Sequence, residues 1–578
     1  MEAMQNGPKA RRARQQILLG AMRAAWNIGR VERSERTLGR TLRLVAKKKG
    51  LAFARDWTFA DLYEWAAERY RYDVFLEYEG ERHTFNDMNR RANRVARQLH
   101  RAGVREGAGV AVMMGNHPRF LDAFFAIQKL GAYAVPVNTA LVGEGLAYIL
   151  DHSEVEAVLC DHETAAKVAG VRAGVPRIAH VWVNAAEAPA GYALPEGTGS
   201  FAELEHASAD DGDNLGVRPD ADAPSLLLYT SGTTGLPKAV VSLYGQQRVK
   251  SIGLLANLLY DRSDKLYTCL PLFHANALLL TTMQALWIGI PMYLSRRFSA
   301  SRFWKELGQC GATQFNTVGS MIPILLKTPP SPSDRAHKVK RIVSAACPKD
   351  AWVPFETRFG VDIWEGYGAV DGAGVTIFNT GNAPVGSLGK PARLVQWRLV
   401  DDQGKDAAPG EAGELWVHVG DRKESGVPYW KNEKASSEKV VDGWLHTGDL
   451  MLADAEGYLY FVGRNTDSMR RRGENVSAYE IEKVVDEHAD VLESAAFGVP
   501  SPVGEQDIMI SVVPVEGRKV VPADLLRFMR ERLPKYAVPS YLDIVSDLPK
   551  TGTHRVIKSD LKKRGVTATT VRLEDLAT

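Results

Sequence analysis

The sequence predicts an α/β fold in which parallel sheets are covered by helices on both faces. Strand-favouring runs such as Val74–Tyr78 and 109–114 alternate along the chain with helical segments such as 120–130. Parallel strands need crossover connections, usually helices, so this alternation predicts a parallel sheet that is buried on both sides. At 578 residues the chain is too long for one hydrophobic core, and two or more domains are expected.

Two helix starts of the main domain are marked by the same local pattern. Thr58 stands three positions before Asp61, and Thr84 stands three positions before Asp87. A threonine N-cap with an acidic residue three positions on is typical of a helix start. The stretch 186–222 is rich in Ala, Gly, Asp and Pro and is predicted to be a surface excursion. Further strands are predicted at 132–138, 157–160 and 226–228.

The composition excludes several classes of protein. A net charge of +3 is small for this length and argues against a dedicated nucleic-acid binder. The four cysteines are far apart, without CxxC or zinc-site spacing, as expected for reduced thiols in a cytoplasmic protein. The sequence has neither an apolar run of bilayer-spanning length nor an evident signal peptide. We therefore expect a cytoplasmic protein.

Residues 1–56 are predicted to form a basic N-terminal arm. In its first fifty residues, thirteen Lys and Arg residues accompany only three Glu residues, with apolar residues such as Leu18, Met22 and Trp26 between them. A basic amphipathic helix with a tryptophan can lie in an anionic membrane interface. Two interpretations therefore stay open: peripheral membrane association through the arm, or a solvated helix or an arm packed on its own domain.

The strand at 226–228 leads into a loop that suits the phosphates of a nucleotide. Its glycines permit positive φ angles, so successive N–H groups can form an anion nest. Hydroxyl donors surround the nest, and a lysine adds a positive charge. The Gly-Lys-[Ser/Thr] of the nucleoside-triphosphate P-loop is absent. The residues concerned are Thr230, Ser231, Gly232, Thr233, Thr234, Gly235 and Lys238.

The string 229–238 closely resembles the phosphate loop of the acyl-adenylate-forming enzymes, which include the AMP-binding acyl-CoA synthetases. The segments 84–87, 91–96 and 129–132 extend the likeness. It is closest to the fatty-acid-transport-protein and very-long-chain acyl-CoA synthetase branch and to related bacterial acyl-CoA ligases. The resemblance implies a large AMP-binding domain, a hinge with Asp467 as its pivot, and a small mobile α+β lid domain. The boundaries that it implies are 57–463, 464–467 and 468–578.

Further segments resemble those that hold the adenosine part of ATP in this family. The resemblance implies that small residues flank the adenine and that an aromatic ring stacks beside it. A carboxylate would accept hydrogen bonds from both ribose hydroxyls, and such charge-assisted bonds are strong. An arginine of the following strand would contribute. The positions that match are Ala345, Ala346, Cys347, Tyr367, Gly368, Asp449 and Arg464.

The resemblance implies Mg²⁺ at Asp371 and Thr230. The turn around Asp371 resembles the family's Tyr-Gly-x-Thr-Glu, but Val370 replaces the hydroxyl residue and Asp371 replaces Glu. Aspartate keeps the hard oxygen ligand that Mg²⁺ requires, on a side chain shorter by one methylene. Val370 lacks a hydrogen bond to phosphate, so this turn departs from the family pattern.

The C-terminal region departs from the family pattern at one position. Where the family has its catalytic lysine, this chain has Arg555. Arginine retains the positive charge and can bridge a carboxylate and a phosphate through two donors. The catalytic set is therefore Arg555 with Lys238 and Thr230. Two alternatives stay open: Lys550 or Lys558 replaces the family's lysine, or the adenylation step is impaired. The basic loop containing Gly473 resembles the family loop that guides the pantetheine arm of CoA.

The acid itself is expected beside His274, which the resemblance places at the acyl pocket. Ala277 begins an apolar run that either lines a hydrocarbon channel or belongs to a helix core. We assign both residues to the substrate pocket.

These features together predict an ATP-dependent carboxylate–CoA ligase that uses Mg²⁺, with a medium- to very-long-chain fatty acid as substrate. The expected partners are the small-molecule acid, ATP and CoA, without nucleic acid, and a homodimer is compatible with this organisation. Three alternatives stay open. They are a ligase for a bile, carnitine-like or aromatic acid, an acyl-AMP ligase that loads a carrier protein, and a non-enzymatic lipid-uptake module.

Overall fold

The structure is a computed structural model of the chain. It describes residues 57–206, 212–230, 236–246, 249–318, 321–326, 328–345, 347–372, 374–392, 395–401, 403–419, 429–464, 468–472, 474–502, 504–549, 556 and 558–576. The N-terminal arm, at 1–56, lies outside these residues. No helix among the described residues is both long enough and apolar enough to cross a membrane.

Two large sheets dominate the first two thirds of the chain. The first has seven strands, all parallel to their neighbours except the last, which is antiparallel. In spatial order its strands are Gly199–Ser200, His180–Asn184, Val155–Asp161, Gly109–Met113, Tyr133–Pro136, Pro224–Thr230 and Lys238–Leu243.

The second sheet has nine strands, of which six in the middle are parallel and the edge pairings are antiparallel. In spatial order they are Lys390–Pro391, Gly374–Asn379, Asp362–Ala369, Arg341–Ser344, Gln314–Asn316, Leu266–Thr268, Met292–Leu294, Val74–Tyr78 and Glu81–Thr84. This alternation of parallel strands and helices confirms the predicted α/β class.

Helices connect these strands and cover the sheets. The described α-helices are Phe59–Arg69, Phe85–Arg101, Pro118–Lys129, Gly143–His152, His162–Arg172, Phe201–Leu204, Val249–Leu259, Met283–Ile288, Phe303–Cys310, Met321–Leu326, Lys349–Phe359, Glu433–Lys439, Ala478–Asp486, Pro522–Arg532 and Lys558–Arg564. A π-helix spans Asn276–Thr282, and 3₁₀ turns lie at Tyr244–Gln246, Pro332–Asp334 and Leu573–Leu576.

Local chemistry explains where these helices start and what they bury. Thr58 forms a capping box with Asp61, and Thr84 forms one with Asp87, as their spacing predicts. Every residue of the helix Pro118–Lys129 is buried except Arg119. Its apolar residues belong to the largest hydrophobic core described for the chain. Strand residues of both large sheets, such as Val110 and Phe315, belong to the same core.

Three smaller sheets follow along the chain. An antiparallel five-stranded sheet contains Trp397–Val400, Ala412–His418, Val440–Val441, Trp444–Ala453 and Leu459–Arg464. A two-stranded hairpin, Ser468–Arg471 with Glu474–Ser477, comes next. The last sheet has four strands, Val491–Pro500, Gln506–Pro514, Tyr541–Ile544 and Val571–Arg572, and has its own apolar core. The α+β C-terminal lid is thus built as the resemblance implies, while the boundary at 464–467 stays a prediction, because Asp467 lies outside the described residues.

Candidate active site

A cleft of about 1470 Å³ is lined by residues from both parallel sheets, the five-stranded sheet and the C-terminal hairpin. Thr230 and Ser344 are the last residues of parallel strands, and both line it. Ligands of open α/β sheets bind at the carboxyl ends of the strands, which is where these residues lie. The cleft is therefore the candidate active site.

The expected phosphate loop connects the two last strands of the seven-stranded sheet. Thr230 pairs with Lys238 across this antiparallel hairpin, and the Thr230 hydroxyl donates to the carbonyl of Lys238 at 3.3 Å. The Nζ of Lys238 lies 5.5 Å from the centre of the Tyr429 ring, a cation–π contact. The remaining predicted loop residues, 231–235, lie outside the described residues.

The expected ribose carboxylate is held by a buried tyrosine. The Tyr367 hydroxyl donates to Oδ2 of Asp449 at 2.6 Å, and Asp449 is only 2 % exposed. Burial and the nearby carboxylate raise the pKa of Tyr367, so it stays a donor. Asp449 also lies opposite Arg464 in the antiparallel pairing, as the sequence order suggests. Tyr367, Gly368 and Asp449 all line the cleft.

The expected adenine segment is placed in part. Ala345 lines the cleft, whereas Ala346 lies outside the described residues. Cys347 is not among the lining residues, and its backbone N–H donates to Glu365 at 3.2 Å. Burial raises the pKa of the Cys347 thiol, so it is a neutral packing group.

The expected metal carboxylate, Asp371, lies in a polar cluster that sequence reasoning missed. Its Oδ2 is 2.7 Å from Nζ of Lys439 and accepts a hydrogen bond from the Tyr429 hydroxyl at 3.0 Å. Lys439 and Tyr429 carry no family-like motif in the sequence, so only the fold brings them here.

Mg²⁺ fits this cluster by its donor chemistry. It keeps several waters and needs only one or two protein carboxylates when substrate phosphates complete its shell. Asp371 supplies one hard oxygen, and Thr230 supplies a hydroxyl at the end of the neighbouring sheet. Within the described ranges, no group of three or more His, Cys, Asp or Glu side chains could hold a metal alone.

The C-terminal part of the chain closes one side of the cleft. Nε2 of His274 lies 3.1 Å from both carboxylate oxygens of Glu474 in the hairpin. The Asn138 amide also donates to Glu474 at 3.4 Å and to the Tyr536 hydroxyl at 3.3 Å. Glu480 lines the same wall, and burial raises its pKa to about 7. These contacts bring together residues that are 200 or more positions apart.

The arginines of the hairpin divide into two groups. Arg470 and Arg472 line the cleft. Arg471 is buried and donates to the carbonyl of Tyr536 at 3.1 Å and to the Ser540 hydroxyl at 2.6 Å. Arg471 therefore supports the lid's own structure, whereas Arg470 pairs with Glu505 at 3.5 Å and Arg472 with Glu574 at 3.9 Å. Gly473, between them and the second strand, lies outside the described residues.

The residues proposed for the catalytic cation are placed only in part. Arg555 and Lys550 lie outside the described residues. Lys558 is not a cleft residue, because its Nζ lies 2.7 Å from Glu482 on the neighbouring helix and its side chain is only 15 % exposed. A basic side chain of the next helical turn, Lys562, does line the cleft.

The acyl side of the cleft has an apolar wall. His274 lines it, as expected, but Ala277 does not: it is fully buried in the hydrophobic core. Its neighbours Leu279 and Leu280, in the same π-helix, line the cleft instead. The apolar lining residues are Phe59, Ile252, Leu255, Leu259, Leu279, Leu280, Val318, Met321 and Ile324. Polar lining residues among them are Ser251, Asn276, Gln284 and Asn316.

Comparison with known proteins agrees with this geometry. A steroid-22-oyl-CoA synthetase of Rhodococcus jostii is 33% identical over 473 residues, which cover 79% of this chain and 82% of that protein. A crotonobetaine/carnitine–CoA ligase of Salmonella paratyphi A is 29% identical over 504 residues, covering 85% and 95% of the two chains.

A solved structure shares the fold. It is a double mutant of the o-succinylbenzoate CoA synthetase of Bacillus subtilis, bound with a product analogue. The TM-score is 0.74 at 24% identity, over 87% of this chain and 98% of that chain.

Two family profiles match successive parts of the chain. The profile of the AMP-binding enzyme covers residues 63–420, and that of the AMP-binding enzyme C-terminal domain covers residues 480–555. The first alone spans more than half of the chain and contains the phosphate-loop hairpin, Tyr367 and Asp371. The chain therefore belongs to the AMP-binding enzyme family.

Proposed function

We propose that this enzyme is an ATP-dependent carboxylate–CoA ligase that forms an acyl-adenylate and then an acyl-CoA thioester. One observation carries the proposal: a single cleft joins the Tyr367–Asp449 pair, an apolar wall that includes Leu255 and Leu279, and the lid residue Glu474. A ligase of this kind needs the nucleotide, the acid and the thiol to meet at one point. ATP, Mg²⁺ and CoA are the cofactors of this chemistry.

The first step joins the acid to AMP. The substrate carboxylate attacks the α-phosphate of ATP, and pyrophosphate leaves. Such a transfer depends on positioning and on neutralising charge more than on a proton acceptor. We assign ribose binding to Asp449, held by Tyr367, and phosphate binding to the hairpin loop with Lys238. Mg²⁺ held by Asp371 and Thr230 would supply further neutralisation of the phosphates.

The cation for this step is assigned to Arg555. Lys558 is paired with Glu482 inside the lid, which disfavours it as the alternative cation. Arginine can bridge the carboxylate and the phosphate through two parallel donors. The segment 464–467, with Asp467 as the pivot, is proposed as the hinge that brings the lid's two faces to the cleft in turn.

The second step transfers the acyl group to CoA. The thiol attacks the carbonyl carbon of the mixed anhydride, and AMP leaves. We propose that the lid orientation seen here serves this step, because Glu474 contacts His274 beside the acyl wall. Arg470 and Arg472, which also line the cleft, would face the phosphates of CoA, with Gly473 in the loop that guides its pantetheine arm.

The substrate is proposed to be an acid with a large apolar group, such as a fatty acid or a steroid side-chain acid. The helices that supply the wall, Val249–Leu259, Asn276–Thr282 and Met321–Leu326, contain no acidic residue. A quaternary ammonium acid is stabilised by an anionic or aromatic partner, and the apolar wall is mainly aliphatic apart from Phe59. The wall therefore favours an apolar acid over a carnitine-like one.

Contact with a membrane through the arm at 1–56 and a homodimer also stay proposals. To test the first, co-sedimentation with vesicles is compared between the full chain and a chain that lacks residues 1–56. Light scattering of the purified chain tests the second.

A panel of carboxylic acids in an ATP-dependent assay tests the proposed function. We expect AMP release and a thioester, identified by mass spectrometry, with CoA as acceptor. Thioester formed only on a holo-carrier protein would assign the chain to the carrier-loading alternative. Absence of pyrophosphate release with every acid would favour a non-enzymatic lipid module and contradict the proposal.

A further inference from the structure

The acyl wall contains one buried side chain whose hydrogen-bonding groups are unused. Gln284 is fully buried and lines the cleft, and neither its Nε2 nor its Oε1 has a hydrogen-bond partner among the described residues. It is the second residue of the helix Met283–Ile288, which packs against the helices Phe59–Arg69 and Val249–Leu259. Those helices contribute apolar residues to the same wall.

The polar neighbours of this wall satisfy one another. The Asn316 amide donates to Oδ1 of Asn276 at 3.0 Å and to the Thr281 hydroxyl at 3.2 Å. The Thr282 hydroxyl donates to the carbonyl of Ala277 at 3.0 Å. These side chains are thus paired without Gln284, whose amide has no partner among the described residues.

Such a side chain is rare in a folded protein. Most buried polar atoms have a hydrogen-bond partner, and an amide that has none destabilises the protein that carries it. Leucine would fill a similar volume on this apolar wall without that cost. The amide is therefore explained best by a ligand group that pairs with it when the acid is bound.

The chemistry of the amide restricts that group. Nε2 offers two donors and Oε1 accepts, so a hydroxyl can pair with both and an oxo group can pair with Nε2. A charged group is disfavoured, because burying an ion without a counter-ion is costly and the other polar residues of the wall, Ser251, Asn276 and Asn316, are neutral. The partner is a neutral oxygen on an apolar body.

We propose that Gln284 is a specificity-determining residue and that the acid carries a hydroxyl or oxo group at a distance from its carboxylate. This inference rests on the proposed ligase function and names the substrate class within it. A site that hydrogen-bonds a substrate oxygen discriminates strongly against the analogue that lacks it, because the amide is then left unpaired.

Matched pairs of acids test the wild-type protein directly. The linear pairs are dodecanoic with 12-hydroxydodecanoic acid and hexadecanoic with 16-hydroxyhexadecanoic acid. The ring pair is a steroid side-chain acid with and without an oxygen on its first ring. For at least one pair we expect kcat/KM for AMP release to be about tenfold or more higher with the oxygenated acid. The pair that shows the preference distinguishes a linear from a ring-bearing substrate.

Gln284→Leu removes both hydrogen-bonding atoms at similar volume. We expect it to reduce the preference to about twofold or less, mainly by a lower kcat/KM for the oxygenated acid. We also expect the ligand-free variant to melt no lower than the wild type, since an unpaired amide is replaced by an apolar group. Gln314→Leu is the control: Gln314 is buried but lies outside the cleft lining, and its Nε2 donates to the carbonyl of Leu259. It is expected to melt lower and to keep the preference.

The outcomes separate this inference from the proposed function. Equal activity on both members of every pair leaves the ligase function standing and overturns the role of Gln284. A preference that survives in Gln284→Leu, or a large fall in its melting temperature, also overturns that role. Failure of all the acids to release pyrophosphate or AMP refutes the ligase function itself, and the inference falls with it.

Discussion

Nε2 of His274 lies 3.1 Å from both carboxylate oxygens of Glu474, although the two residues are 200 positions apart. His274 follows the strand Leu266–Thr268 of the nine-stranded sheet, and Glu474 begins the second strand of the C-terminal hairpin. The pair is one of the contacts that hold the lid against the acyl side of the cleft. Its loss should therefore affect the step that this lid position serves.

Glu474→Gln weakens this contact by removing the carboxylate charge. We expect the rate of thioester formation to fall about threefold, since a side-chain hydrogen bond contributes about 1 kcal/mol. Pyrophosphate exchange, which reports adenylation alone, should change by less than about twofold. Glu438→Gln, on an exposed helix face, is the control. Equal losses in both half-reactions would contradict the assignment of this lid position.

Asp449→Asn tests the ribose assignment. The carboxylate is buried, and the Tyr367 hydroxyl holds it at 2.6 Å. Loss of its charge-assisted bonds should raise the KM for ATP about tenfold or more, with little change in the KM for the acid. Steady-state kinetics with each substrate varied measure this, and Asp454→Asn, on a turn outside the cleft lining, is the control. An unchanged KM for ATP would remove Asp449 from the nucleotide site.

Substitutions at Arg555 and Lys558 identify the catalytic cation. We expect Arg555→Ala to lower pyrophosphate exchange about 100-fold or more, because one charge-assisted contact to the transferring phosphate is lost. Arg555→Lys should recover part of that loss. Lys558→Ala should keep adenylation but lower the melting temperature, since it breaks the pair with Glu482. The reverse pattern would assign the role to Lys558.

Glu480 predicts how the lid's stability depends on pH. Burial raises its pKa from 4.5 to about 7, so the folded protein binds the proton more tightly than the unfolded chain. The stabilisation is complete below pH 4.5 and is lost as pH rises through 7. At 1.36 kcal/mol per pKa unit, the loss is about 3 kcal/mol at most.

Glu480→Gln should remove this dependence. We expect the lid of the variant to be more stable than that of the wild type at pH 8 and equally stable near pH 5. Urea unfolding, with hydrogen exchange in the lid as the readout, measures this. Glu487→Gln, on an exposed turn, is the control. Parallel stability curves for the wild type and Glu480→Gln would contradict the shifted pKa.

Features that depend on neighbouring residues could be predicted from the sequence. The capping boxes at Thr58 and Thr84 involve residues three apart, and both are present. The helix Pro118–Lys129 and the strand Gly109–Met113 also follow from local apolar patterns, with ends that shift by one or two residues. The hydroxyl-rich loop is flanked by the hairpin that its two apolar runs predict.

Features that depend on the assembled fold could not be predicted. Lys439 reaches Asp371 from a short helix 68 positions later, and no motif marks it. The sequence does not indicate the π-helix Asn276–Thr282, in which Leu279 and Leu280 line the cleft and Ala277 is buried in the hydrophobic core. Gln284 stands in an ordinary apolar run, and only its buried, unpaired amide distinguishes it.

One measurement tests the central claim that a single cleft uses ATP to convert an apolar acid into its CoA thioester. The purified chain is mixed with ATP, Mg²⁺ and the acid, and CoA is added after pyrophosphate release has stopped. We expect a burst of about one pyrophosphate per chain with bound acyl-AMP. AMP release and acyl-CoA formation should follow when CoA is added. Failure to bind ATP with Mg²⁺, together with no nucleotide-dependent thioester, would contradict it.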